Sequence, residues 1–314
     1  LANLFKRRCG VGIDISGLRP EHGLVNNAAR TTTGAWSFAD FYSYICRMIG
    51  QNGRRGALMI SMDVRHPDIE QFIAMKHNLT KVTGANVSVK ISDSFMEAVE
   101  KDETFTLQFP VAVSNPEYTA QVKARELWNT IIESATKTAE PGLLMWDNIT
   151  KNLPAHAYPE FKTKTTNPCG EIPLSAYDSC RLISLNLKSL VKNSFEKNAE
   201  FDFNKLRQVA AAGMRLSDDL IELELEKLAN IQQIADTADE KKLWGKLYTA
   251  AENGRRTGLG THGLADAIAC LNLAYDSSEA LVIIDKIYRT LRDSAYEESV
   301  YLAQERGAFP AFDW

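Results

Sequence analysis

Thr165-Thr-Asn-Pro-Cys-Gly-Glu-Ile-Pro-Leu-Ser-Ala-Tyr-Asp-Ser-Cys-Arg-Leu-Ile-Ser-Leu-Asn-Leu187 is the most informative stretch of the chain. Pro168 and Pro173 exclude a regular helix here, and Gly170 permits a sharp backbone path, so the segment reads as a loop or a strand edge. It presents an amide, a thiol and a carboxylate at every second position. In an extended conformation residues two apart share a face, which would line Asn167, Cys169 and Glu171 along one surface. That trio has a coherent use. A thiol oxidised to a thiyl radical carries a hydrogen atom, a carboxylate serves as general base on a neighbouring hydroxyl, and an amide holds another hydroxyl by hydrogen bonding. A structural loop around a buried free cysteine, the usual fate of such thiols, fits the same spacing.

Outward from this stretch, strand and helix signals alternate through the first half of the chain. Leu1 enters directly into a helix-like segment, and Val11 to Ser16 is a strand candidate. A polar loop runs from Arg19 to Gly34. Ser37 is placed to cap a helix over Phe38 to Ile49, whose Phe38, Phe41, Ile45 and Met48 recur at helical spacing. Leu58 to Met62 reads as a buried strand, and Pro67-Asp68 opens a helix through Met75. Asn86 to Ile91 and Thr104 to Phe109 read as strands, Ser94 to Val99 and Gln121 to Thr136 as helices, and Pro141-Gly142 begins a short segment toward Asp147. The second half is mainly helical, over Phe203 to Leu228, Lys241 to Glu252, Leu264 to Leu273 and Ser278 to Glu305. This alternation predicts an α/β fold with a parallel component and a helix-rich C-terminal half, most simply one domain over residues 1–314.

Composition narrows the function classes. The chain has 314 residues, 45% hydrophobic and 24% charged, with a formal net charge of −4. That is an ordinary globular balance, and it argues against the clustered basic face of a nucleic-acid binder. No apolar run approaches the roughly 20 residues that span a bilayer. Five dispersed cysteines do not form a secreted disulfide framework, which points to a cytoplasmic protein with reduced or redox-active thiols. His22, His66, His77, His156 and His262 are scattered and no Cys-x-x-Cys occurs, so no protein-bound metal is expected. Cys46 and Cys270 lie on amphipathic helices and read as core residues. Without an initiator methionine, and ending on Phe309-Pro-Ala-Phe-Asp-Trp314, the chain reads as a piece truncated at both ends.

Asn167-Pro-Cys-Gly-Glu-Ile172, followed by Asp178-Ser-Cys-Arg-Leu182, strongly resembles the catalytic finger loop of ribonucleotide reductase large subunits. Further segments agree with that family in the same order: Cys9-Gly-Val-Gly-Ile-Asp-Ile-Ser-Gly-Leu-Arg-Pro20, Gly53-Arg-Arg-Gly-Ala-Leu-Met59, Arg65-His-Pro-Asp-Ile69, Ala139-Glu-Pro-Gly142, Gly254-Arg-Arg-Thr-Gly-Leu-Gly260 and Glu305-Arg-Gly-Ala-Phe-Pro310. The resemblance implies a ten-stranded α/β barrel with this loop threaded through its centre, of which the chain supplies roughly the first half. It implies that Cys169 is the thiyl radical that abstracts the ribose 3′-hydrogen, that Glu171 takes the 3′-hydroxyl proton, and that Asn167 binds the ribose hydroxyls. Pro168 and Gly170 would then border the substrate.

By the same resemblance, Cys180 is one of two reducing cysteines that form a disulfide, its partner lying on a strand that precedes this chain. The other reading of Cys180 is a buried strand cysteine, and Cys9 is not assigned the partner's role. Arg19 matches a residue that contacts the phosphates of a nucleoside triphosphate effector. Gln51, Asn52, Gly53, Arg54, Arg55 and Gly56 match the loop between effector and substrate base. Adjacent arginines suit phosphate or base edges, although a solvated basic turn reads the same way. The helix at 37–49 corresponds to one packed across a homodimer interface. Thioredoxin or glutaredoxin is the implied reductant, and a ribonucleoside di- or triphosphate the substrate. The wording of Arg54 to Met59, Val64 to Asp68 and Tyr177 to Leu182 looks closer to the adenosylcobalamin-dependent class than to the class with a separate metal subunit. The alternatives are that second class, or a non-catalytic nucleotide-binding half of a split reductase.

Overall fold

Short runs of β-branched and aliphatic residues become a four-stranded, wholly parallel sheet in the computed structural model, which describes residues 1–49, 53–78 and 80–312. After α1 (Ala2–Phe5) come β1 (Gly10–Asp14), α2 (Ala35–Met48), β2 (Ala57–Asp63) and α3 (Ile69–Ala74). β3 (Asn86–Ile91), α4 (Asp93–Lys101), β4 (Thr104–Phe109), β5 (Tyr118–Lys123), α5 (Ala124–Thr138), β6 (Gly142–Met145) and α6 (Trp146–Asn152) follow. The sheet order is β1-β2-β3-β6. These elements, with the hairpin of β7 (Thr165–Thr166) and β8 (Pro173–Leu174), belong to a compact unit over Leu1–Ala176.

The register gives this sheet two chemically different faces. Ile13 lies beside Ile60, and Ile60 beside Val87, so Leu58, Ile60, Met62, Val87, Val89 and Ile91 share one face. They pack with Phe72, Ile73, Phe95, Leu127 and Ile131 in the main core. On the other face Asp14, Ser61 and Ser88 are in register, as are Asp63 and Lys90. Ser61, Ser88 and Lys90 are buried there. A parallel sheet is ordinarily covered on both faces, and here the second cover is a loop that needs polar attachments.

Two local readings are corrected, and one strand is added to them. Ser37 does not cap α2, which begins at Ala35; its hydroxyl donates back to the Gly34 carbonyl, 2.8 Å away. The Asp68 carboxylate does the capping from a distant segment, accepting from the Ala35 N–H at 2.7 Å. Residues 121–123 are the end of strand β5, not the start of a helix, because they pair antiparallel with β4. Thr257–His262 is a strand although Gly258 and Gly260 interrupt its pattern; its pairing comes from a partner remote in sequence.

A second compact unit spans Tyr177–Trp314. It comprises β9 (Arg181–Asn186), β10 (Val191–Lys192), β11 (Glu200–Phe201), α7 (Phe203–Ile234), α8 (Ala238–Gly254), β12 (Thr257–His262), α9 (Leu264–Cys270) and α10 (Ser278–Arg306). β9 and β12 pair in parallel, and Leu187, Leu190, Phe201, Leu206, Ala267 and Ile287 form the unit's core. Asp202, Thr237 and Ser277 cap the three long helices. Among the described residues no helix is long and apolar enough to cross a membrane.

Candidate active site

The hairpin of β7 and β8 carries Asn167, Cys169 and Glu171 at its tip. Thr165 pairs with Leu174 and Thr166 with Pro173. Beyond them the chain reverses: the Asn167 N–H donates to the Ile172 carbonyl at 3.1 Å, and the Gly170 N–H to the Asn167 carbonyl at 3.1 Å. Pro168 supplies the preset φ of a turn's second residue, and Gly170 takes a φ of +92°. The extended, every-second-residue arrangement is therefore not what forms. Asn167 and Glu171 meet because the turn folds them together, with the Asn167 Nδ2 donating to the Glu171 Oε1 at 2.7 Å. The Asn167 Oδ1 in turn accepts from the Ile172 N–H at 2.9 Å, which fixes the amide's orientation. Cys169 lies between them at the turn, a free, exposed thiol.

The polar face of the sheet holds this hairpin. Gly12 has no side chain because the hairpin occupies that space: a Cβ there would lie 1.7 Å from the Thr166 carbonyl oxygen. Asn86 on β3 donates to the Pro168 carbonyl at 2.9 Å, one residue from Cys169. The Thr165 and Ser61 hydroxyls are 2.9 Å apart, and Ser61 donates to Asp14 at 3.0 Å. Lys90 pairs with Asp14 at 2.6 Å and donates to the Lys164 carbonyl. Asp63, on the same face, has its carboxyl pushed up by burial. Sequence reasoning missed Asp14, Ser61, Asn86 and Lys90. Their signal was one polar residue at every second position in strands otherwise apolar, Asn-Val-Ser-Val-Lys-Ile above all.

Arg19 follows β1 and is exposed. The segment around it is pinned by the Arg65-His-Pro-Asp-Ile69 motif. His66 donates from Nε2 to the Leu18 carbonyl at 2.9 Å and accepts at Nδ1 from the Asp68 N–H at 3.0 Å. Asp68 accepts from the Glu21 N–H at 2.9 Å. Burial lowers the His66 pKa, which suits the neutral ring that this pattern requires. Gly53, Arg54, Arg55 and Gly56 border an open cavity of about 800 Å³, with Arg47, Lys76 and Asn86 also on its wall. Gln51 and Asn52 lie outside the described residues. Phe38, Phe41, Tyr44 and Met48 on α2 are exposed. Cys46 is buried in the core, where desolvation pushes its thiol pKa up.

Cys180, immediately before β9, sits in a different setting. Asp178 forms an ion pair with Arg256 at 2.6 Å, the two side chains only 1% and 13% exposed. Arg181 pairs with Glu224 and donates to the Arg256 carbonyl at 3.1 Å. Gly258 on β12 leaves room for the thiol, since a Cβ there would lie 2.5 Å from the Cys180 Sγ. The Gly254-Arg-Arg-Thr-Gly-Leu-Gly260 motif thus builds the wall around Cys180, a role that sequence reasoning did not assign. Among the described residues no group of His, Cys, Asp and Glu is arranged to hold a metal ion.

The family model for the ribonucleotide reductase barrel domain matches residues 1–314. The vitamin B12-dependent ribonucleoside-diphosphate reductase of Thermoplasma acidophilum is 33% identical over 313 residues, covering 99% of this chain and 38% of that protein. The enzyme of the same description from Mycobacterium tuberculosis is also 33% identical, with 42% of its length covered. The ribonucleoside-diphosphate reductase large subunit of Variola virus is 26% identical over 336 residues, with 41% covered. The chain therefore spans about two fifths of the length of these relatives. Among solved structures, the class Id ribonucleotide reductase α subunit of Actinobacillus ureae superposes with a TM-score of 0.73 at 20% identity, covering 99% of this chain and 51% of that one.

Proposed function

The chain belongs to the ribonucleotide reductase barrel-domain family, and from that premise we propose that it carries the radical centre of a ribonucleoside-diphosphate reductase. The observation that supports this reading is the hydrogen-bonded Asn167–Glu171 pair flanking an exposed Cys169 at the tip of one turn. As a thiyl radical, Cys169 takes the ribose 3′-hydrogen. Glu171 accepts the 3′-hydroxyl proton as general base, the 2′-hydroxyl leaves as water with a proton from a reducing thiol, and Cys169 and Glu171 finally return the hydrogen and the proton to the 3′ position. Asn167 orients the carboxylate and holds the ribose hydroxyls. Cys180 and a second thiol supply two electrons and two hydrogens and become a disulfide, which a thioredoxin-type protein reduces again.

Adenosylcobalamin is the proposed radical source, on the strength of the two B12-dependent relatives. When bound, it supplies the one-electron oxidising equivalent that the thiol needs. Cys169, a free thiol, is the group in this chain that would receive it. Arg19 and the Gly53–Gly56 loop form the effector-sensing side, with the cationic cavity suited to nucleotide phosphates. The exposed aromatic and methionine residues of α2 form the homodimer surface.

Cys169→Ser in the enzyme that contains this chain tests the reading. The hydroxyl matches the thiol in shape but does not carry the hydrogen atom, so ribonucleotide reduction falls to background while effector nucleotides bind as before. Substantial turnover by the serine variant would refute the assignment.

A further inference from the structure

We infer that Lys90, paired with Asp14, is a positioning residue that sets the height of the Cys169 hairpin above the sheet. Its kinetic consequences rest on the reductase reading, but the placement itself does not. Lys90 lies on β3, with a side chain only 7% exposed. Its ammonium pairs with Asp14 at 2.6 Å, donates to the Lys164 carbonyl, and sits 4.0 Å from the centre of the Trp146 ring. Drawing the Lys90 ammonium out of water, against an Asp14 side chain that is 20% exposed, is a poor way to stabilise a fold, since apolar residues of similar volume commonly do as well or better. The pair therefore calls for a local reason, and the Lys164 carbonyl provides one.

Lys164 is a joint of the hairpin. Its N–H donates across to the Leu174 carbonyl at 2.9 Å, and its carbonyl faces the opposite way onto Lys90. Asn167 follows three residues later. Asp14 serves two attachments at once, because it receives both the Lys90 ammonium and the Ser61 hydroxyl that meets Thr165. With Asn86 on the Pro168 carbonyl, the sheet grips the hairpin at residues 164, 165 and 168. Lys90 and Asp14 are the charged part of that grip. Neither touches the tip, so both act through the hairpin's backbone.

Two variants separate positioning from mere stability. Lys90→Met keeps the length and the packing on Trp146 but leaves the partly buried Asp14 without its cation. The double variant Asp14→Asn/Lys90→Met removes both charges, so folding stability returns toward wild type. The Lys164 carbonyl stays unclamped in both. The readout is the rate at which iodoacetamide labels Cys169 in the enzyme without nucleotide, followed by peptide mass spectrometry with Cys180 as internal reference. We expect Cys169 labelling several-fold faster in both variants, with the Cys180 rate unchanged. Reductase kcat should fall on the order of 10- to 100-fold, the usual cost of a displacement near 1 Å, with KM unchanged. Wild-type labelling in both variants, or kcat restored with stability in the double variant, would overturn the inference. Faster labelling in variants of a wild type that reduces no ribonucleotide would refute the proposed function while supporting the clamp.

Discussion

The Cys169 and Cys180 regions solve opposite problems with similar materials. At Cys169 the chain turns sharply, and the thiol is exposed at a tip whose backbone is gripped from below by Asn86, Ser61 and Lys90. At Cys180 the chain runs straight into β9, and the thiol is half-buried against Gly258 between two ion pairs. One arrangement leaves the thiol exposed in this chain and fixes its segment by the backbone. The other shields a sulfur and fixes the segment by side chains. Under the proposed function, the first would hold the radical carrier in place and the second would hold the reducing thiol.

The sharpest way to break this contrast is to remove the second thiol. Cys180→Ser should still permit exchange of the ribose 3′-hydrogen, because Cys169 and Glu171 remain, yet complete no reductive turnover, because the disulfide that supplies the two electrons cannot form. Normal steady-state turnover with a thioredoxin-type reductant would make Cys180 structural and dissolve the distinction. Glu171→Gln tests the other side. Loss of a general base costs roughly 10²- to 10⁴-fold, so kcat should fall by that factor while the amide still accepts from Asn167. A smaller loss, measured under saturating substrate, would move the base elsewhere.

Asp178→Asn addresses the frame of Cys180 and not its chemistry. It leaves the buried Arg256 guanidinium without its anion, which typically costs about 3–5 kcal/mol. Denaturant unfolding should show that loss. A change under 1 kcal/mol, in the range of exposed pairs, would mean that solvent already reaches Arg256.

These two regions were unequally legible in the sequence. The tip residues were found because amide, thiol and carboxylate cluster within five positions and match a family motif, although the extended geometry first inferred for them was wrong. A tight turn with Pro168 at its second position and Gly170 closing it brings residues 167 and 171 together across the reversal, which counting by twos does not anticipate. Their supports were harder to see. Lys90 and Asp14 are 76 residues apart, and only the strand register places both on the polar face. The same holds for β12, whose glycines hid a strand that exists because β9 pairs with it. Periodicity recovered α4, α7, α8 and α10, whose buried stripes are local, and missed β5, whose exposed residues carry little pattern.

The smallest effect is expected at Gly53. Its φ is +80°, and a Cβ there would meet nothing within 4 Å. Gly53→Val therefore introduces no clash with neighbours, only a backbone penalty of about 1–2 kcal/mol for a left-handed conformation. That penalty is comparable to the roughly 1–3 kcal/mol by which one site usually biases another. If an effector near Arg19 selects among backbone shapes of this loop, removing one shape should flatten the dependence of substrate choice on effector, by at most about 150-fold. The measurement is relative reduction of the four ribonucleotides with each effector, in wild type and variant. Cys169 labelling at the wild-type rate would show that the hairpin is undisturbed, so that any flattening belongs to the loop. Unchanged selectivity in an active Gly53→Val enzyme would remove the left-handed conformation of this residue from the switch and leave Arg54 and Arg55 as fixed contacts.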